Sequence, residues 1–233
     1  MLRQRQQTIL GATIREYIRT ARPVSSEELR RHFRLGLSPA TIRNEMQELD
    51  EEGFLEQPHT SAGRIPTDNG YRFFVDHLIR EFILSGEDQK IIDDLRKTNN
   101  EDLFIKHLAR TVSRMCGAFA ATGLLEDGIL YKSGFAEILD EPEFEDAGEA
   151  RTFGHFVDFL DDTIEDILPD SEEDHVFIGR ENPLKEARAY TMIMSSWKHP
   201  AGFNGFLTLI GPRRMDYTKS VSLINYLKEL KEE

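Results

Sequence analysis

Residues 38–49 read Ser-Pro-Ala-Thr-Ile-Arg-Asn-Glu-Met-Gln-Glu-Leu, and the reading of this stretch decides the fold of the N-terminal part of the chain. Ser38 followed by Pro39 is an N-cap and first-turn pair: the hydroxyl accepts from an otherwise orphaned backbone N–H, and proline has none to leave unsatisfied. Ile42, Met46 and Leu49 then fall at helical spacing and form one apolar seam, so a helix is predicted that ends before Gly53. Its opposite face presents Thr41, Arg43, Asn44 and Gln47. Such side chains make paired hydrogen bonds to base edges or hold phosphate oxygens.

Toward the N-terminus, Arg34-Leu35-Gly36-Leu37-Ser38 is a tight glycine-containing turn of the kind that sets two helices nearly perpendicular. A short helix precedes it, opened by Ser25 and Glu28 at capping-box spacing, carrying Leu29 and Phe33 on its apolar face and stopped by Gly36. Pro23 separates it from a first helix over about Arg5 to Ala21, whose stripe is Leu10, Ile14, Tyr17 and Ile18. Three helices with a tight second turn make a helix-turn-helix, the third being the reader.

Toward the C-terminus, Phe54-Leu55-Glu56-Gln57 reads as a short strand, and Pro58-His59-Thr60-Ser61-Ala62-Gly63-Arg64-Ile65-Pro66 as a turn into a second one. This is a β-hairpin wing. Its tip is expected to carry Arg64 and His59 with the hydroxyls of Thr60 and Ser61, short enough to enter a minor groove or grip a phosphate.

Charge is segregated along the chain. The net charge of −13 taken whole argues against a nucleic-acid partner, because phosphates are held by Lys and Arg. Residues 1–80, however, hold 12 Arg, no Lys and 11 acidic residues, whereas residues 81–233 hold 17 basic against 31 acidic. Within residues 1–48 there are nine Arg and five Glu, enough for a basic face. The single cysteine, Cys116, excludes an intramolecular disulfide framework and reads as a buried thiol. No signal peptide or apolar span is read from the sequence, and a cytoplasmic location is expected.

Thr67 and Asp68 cap a predicted helix running to about Leu84, with Val75, Leu78, Ile79 and Phe82 as its stripe. Helices carrying Ile91, Ile92 and Leu95, then Leu103, Leu108, Val112 and Met115, follow and join at Thr98-Asn99-Asn100. Beyond Gly117 the pattern turns mixed: strands at 128–132, 175–178, 189–194 and 205–210, a helix from Ala150 to Leu168, and a final amphipathic helix from about Tyr217 to Lys231. The fold class is therefore α+β, with a winged helix-turn-helix at 1–70, a helical connector at 71–116 and a C-terminal α+β domain at 117–233. Acidic clusters at Asp140-Glu141, Asp161-Asp162 and Glu172-Glu173-Asp174 lack calcium-loop spacing and read as solvated faces. No histidine pair has ligand spacing, no nucleophile-base constellation is present, and Gly179-Arg180-Glu181-Asn182-Pro183 reads as a turn after a strand. Neither an enzyme, a metal nor a cofactor is expected.

The run Ser38 to Met46, then Pro58 through Thr67, then Gly70-Tyr71-Arg72 resembles the HrcA family of bacterial heat-shock repressors. Pro142-Glu143-Phe144, Ile178-Gly179-Arg180-Glu181-Asn182 and Gly211-Pro212-Arg213-Arg214-Met215-Asp216-Tyr217 resemble the same family's C-terminal domain. The resemblance implies a homodimeric repressor that binds an inverted repeat in double-stranded DNA upstream of chaperone operons and answers to heat and to a GroEL-type chaperonin; with no apolar span in the sequence, no membrane association is expected. Carried over by position, the DNA-binding residues are Thr41, Arg43, Asn44, Gln47, His59, Thr60, Ser61 and Arg64. The resemblance also implies a reduced GAF-like C-terminal domain, because typical members are longer by about a hundred residues and the shortfall lies roughly between Gly123 and Ile129. Two other readings stand beside it: a winged helix turned protein-interaction module, and a ligand-responsive regulator with a pocket in residues 117–233.

Overall fold

The first turn of the predicted reader helix is built as its sequence requires. In a computed structural model of the chain, which describes residues 2–60, 62–79, 84–124, 130–167 and 174–229, the Ser38 hydroxyl accepts the Thr41 N–H at 3.1 Å. Three helices follow one another: α1 (Gln4–Thr20), α2 (Ser26–His32) and α3 (Pro39–Glu51). Ser25 and Glu28 close the capping box of α2, with the Ser25 N–H donating to Glu28 at 2.7 Å and the Glu28 N–H to Ser25 at 3.2 Å. Gly36 sits in the turn at φ 67°, the left-handed conformation that its missing Cβ permits. Ile9, Leu10, Ile14, Leu29, Ile42 and Leu49 are fully buried where the three helices meet.

A two-stranded wing, β1 (Leu55–Glu56) and β2 (Ile65–Pro66), follows α3 with Leu55 opposite Pro66 and Glu56 opposite Ile65. The next helix departs from expectation. Instead of one helix reaching Leu84, α4 (Asp68–Phe73) passes into a π-helical turn at Phe74–Leu78, and Ile79 is extended. Phe74 is fully buried there, with the Arg15 guanidinium 5.3 Å above its ring. Residues 80–83 lie outside the described residues.

The chain divides into two units, Met1–Arg80 and Glu81–Glu233, so that the segment 71–116 is shared between them. In the second unit, α5 (Gly86–Arg96) and α6 (Glu101–Cys116) lead into β3 (Phe119–Leu124), β4 (Leu130–Ser133), α7 (Phe135–Leu139), α8 (Ala147–Ile167), β5 (His175–Ile178), β6 (Tyr190–Lys198), β7 (Asn204–Pro212) and α9 (Tyr217–Glu229). The five strands form one antiparallel sheet in the order β4-β3-β7-β6-β5. Every neighbour is hydrogen-bonded, so the shortening expected near Gly123 to Ile129 leaves an unbroken sheet; residues 125–129 themselves lie outside the described residues.

Alternation along β6 assigns the two faces. Tyr190, Met192 and Met194 pack with Phe153, Phe156 and Leu160 of α8, whereas Thr191, on the other face, meets the Tyr217 hydroxyl of α9 at 2.8 Å. The sheet is thus covered on both sides. The C-terminal residues of the family resemblance hold this unit together. Arg214 ion-pairs with Glu141 and Glu143, and the buried Asn182 amide donates to the carbonyls of Gly179 at 2.9 Å and Tyr190 at 3.0 Å, stapling the turn that follows β5.

Candidate nucleic-acid interface

Helix α3 shows two distinct faces. Ile42, Met46 and Leu49 point into the core as their spacing predicts, and Glu45 is buried with them, its carboxylate held by Arg3 and Arg5 from the start of α1. Arg43, Asn44 and Gln47 are exposed on the other face. Thr41 is half-buried with its hydroxyl 2.9 Å from that of Ser38, so it supports the cap. The Gln47 amide donates to Glu51 at 3.0 Å along the same helix. Arg43 and Asn44, side by side, make no side-chain hydrogen bond or ion pair among the described residues.

The wing turn is shaped by a residue that sequence reasoning passed over. The Gln57 amide donates to the carbonyls of Thr60 at 3.2 Å and Ala62 at 2.9 Å, folding the loop onto itself and leaving His59 and Thr60 exposed at its tip. Ser61 lies outside the described residues. Arg64 is not at the tip. It stands at the wing base, where its Nε lies 2.6 Å from Asp50 of α3 in an ionic contact rather than an aligned hydrogen bond. Its backbone pairs in both directions with Val24, just ahead of α2. A groove of about 380 Å³ runs between α3 and the wing, and brings Arg43, Gln47, Thr60 and Arg64 to one wall-to-wall surface; Thr41, Asn44 and His59 lie outside it.

Ion pairing decides which cations remain for a polyanion. Of the nine arginines before residue 49, Arg3, Arg5, Arg19, Arg30 and Arg31 are paired with carboxylates of the same unit, and Arg15 lies over Phe74. Among the described residues, Arg22, Arg34 and Arg43 make no ion pair. Arg22 and Arg34 escaped the sequence reading, though a signal exists. Arg19, Arg30 and Arg72 each have an acid at three or four residues' distance and pair with it, while Arg22, Arg34 and Arg43 have none; Arg3 and Arg5 have none either and pair with Glu45 of α3, so the local signal marks candidates without deciding among them.

Two features fix the family. The residues of the resemblance assemble into a winged helix-turn-helix and a five-stranded α+β unit, and the sequence matches the description "HrcA protein C terminal domain" over residues 72–221. This chain belongs to the HrcA family. A heat-inducible transcription repressor HrcA of Thermoanaerobacter pseudethanolicus is 30% identical over 330 aligned positions, which take in 98% of this chain and 96% of that protein. About a hundred of those positions have no residue here, so the chain is a shortened member of the family. The HrcA of Pelotomaculum thermopropionicum is 52% identical over 91 residues, covering 39% of this chain and 26% of that protein. Among solved structures, one described only as a hypothetical protein superposes with a TM-score of 0.81 at 17% identity, covering 97% of this chain and 96% of that one, and so shares the fold. No helix among the described residues is long and apolar enough to cross a membrane.

Proposed function

We propose that the chain is a sequence-specific DNA-binding repressor of heat-shock (chaperone) genes, acting in the cytoplasm as a homodimer on an inverted repeat. The observation that carries this reading is the pair Arg43 and Asn44: exposed, adjacent and uncommitted on a helix whose other face is buried. Arginine reads guanine and asparagine reads adenine through two parallel hydrogen bonds each, which requires side chains that are not already spent on intramolecular partners. Membership of a family whose relatives are named heat-inducible transcription repressors supports the biological role.

Electrostatics along α3 supports a direction of docking. Glu48, Asp50, Glu51 and Glu52 crowd its C-terminal end, while Arg43 and Asn44 sit near its N-terminal end with Arg34 in the turn before it. The N-terminal half enters the major groove in this arrangement, and the acidic end stays away from the phosphates. His59 and Thr60 at the wing tip supply a second contact, with Gln47 and Thr41 supporting the reader.

The test is an anisotropy titration of the full chain against duplexes from upstream of its own gene and of the chaperonin genes. Wild-type protein is expected to bind one of them in a salt-dependent manner, with Arg43→Ala and Asn44→Ala each losing about 1–3 kcal/mol. Equal binding by wild type and both variants overturns the reading.

A further inference from the structure

We infer that Asp50 and Arg64 form the clamp that fixes the wing relative to α3, so that Asp50, an acid on a DNA-facing unit, promotes DNA binding as a positioning residue. The inference rests on the interface reading above. The wing has too little structure of its own to hold a direction: its two strands are two residues long each, and isolated hairpins are marginal even when longer. Its orientation must come from ties to the helices. Three such ties converge on one position. The Arg64 guanidinium reaches Asp50 at 2.6 Å; the Arg64 N–H donates to the Val24 carbonyl at 2.8 Å; the Val24 N–H donates back at 2.9 Å. The preceding Gly63 allows this approach, since a Cβ there would stand 2.3 Å from the Val24 carbonyl oxygen.

Exposure separates this arginine from the uncommitted ones. The Arg64 side chain is 18% exposed and Asp50 30%, whereas Arg43 stands out in solvent. Asp50 lies in the last turn of α3, where the helix dipole disfavours a carboxylate and a nearby polyanion would disfavour it further. Its placement there is accounted for by its partner at the wing base, Arg64. Simple charge counting and the clamp therefore predict opposite signs. If Arg64 were a phosphate contact muted by Asp50, removing the acid would free a cation and tighten binding. If the pair is a clamp, removing either half loosens the wing and weakens binding.

The experiment uses the full chain and the tightest-binding duplex that the wild type recovers from a randomised library, titrated over a range of salt. Asp50→Asn is expected to weaken binding by about tenfold, within the range of coupling between side chains in contact. Neither Asp50→Asn nor Arg64→Ala should change the slope of affinity against salt, because no phosphate contact is lost. The charge exchange Asp50→Arg with Arg64→Asp rebuilds the pair and is expected to recover most of the affinity. Tighter or unchanged binding by Asp50→Asn, or a slope reduced by about 0.9 in Arg64→Ala, overturns the clamp and makes Arg64 a phosphate contact. Should Asp50→Asn fold poorly, Asp50→Glu keeps the charge and alters the clamp by one methylene; weaker binding supports the clamp and unchanged binding refutes it. Arg43→Ala and Asn44→Ala run in parallel separate the two claims, since wild-type binding by both sinks the interface reading whatever Asp50 does.

Discussion

Arg214 grips Glu143 with two prongs, Nε to Oε1 at 2.6 Å and Nη2 to Oε2 at 2.8 Å, while the same Nη2 also donates to Glu141. The arginine is 9% exposed and joins the segment after β7 to the segment ahead of α8, 71 residues earlier. Arg214→Met roughly keeps the volume, removes the charge and leaves Glu141 and Glu143 without the cation they share. It is expected to cost about 2 kcal/mol, the lower part of the range for charged hydrogen bonds because the glutamates keep partial access to water. Fluorescence of Trp197, the one tryptophan of the chain and buried in the same unit, reports the unfolding. An unshifted urea midpoint disproves the assignment.

Arg22 and Arg34 are predicted phosphate contacts. Their Ala variants should bind every DNA sequence less well to a similar degree and each reduce the salt slope by about 0.9, without altering base preference. A change in preferred sequence instead would make them readers.

Glu16 gives the winged unit a defined acid sensitivity. Arg19 donates to its carboxylate at 2.6 Å and holds the pKa below the ordinary value of 4.5, outweighing the upward push of burial, with His32 at 2.8 Å helping. A lowered folded-state pKa contributes stability that is complete above 4.5 and is lost as the pH falls through the lower folded value. Glu16→Gln should therefore flatten the fall in stability between about pH 5 and pH 3 seen by circular dichroism. Parallel curves for wild type and variant would refute this.

Cys116 should be silent toward thiol reagents. Burial pushes its pKa up to about 11, so almost no thiolate exists at neutral pH. Folded protein at pH 8 is expected to react with a disulfide reagent only as it unfolds, and a fast stoichiometric reaction in the native state would contradict the buried placement.

The features legible in the sequence are those with local periodicity or local partners. Helices α1 and α3, both caps at Ser25 and Ser38, and strand β5 at 175–178 follow from spacing alone. Strand β3 was illegible because Ala120-Ala121-Thr122-Gly123 carries little β propensity and no alternation; it lies buried between β4 and β7. The position of Arg64 was illegible for another reason. Its partner Asp50 and its backbone neighbour Val24 are distant along the chain, and no pattern within a window joins them. Glu45 breaks the apolar seam of α3 for a related cause, because the arginines that neutralise it come from the start of α1.

The strand order β4-β3-β7-β6-β5 has a consequence for synthesis on the ribosome. Strand β7 occupies the middle of the sheet, yet it is made after the other four, so β3 and β6 have no common neighbour until it emerges. Residues 1–80 form a compact unit of their own. A nascent chain can therefore present a folded reader helix well before its sheet exists, and a chain terminated ahead of Asn204 would carry the DNA-facing unit alongside a β3–β4 hairpin and a β5–β6 pair that cannot join.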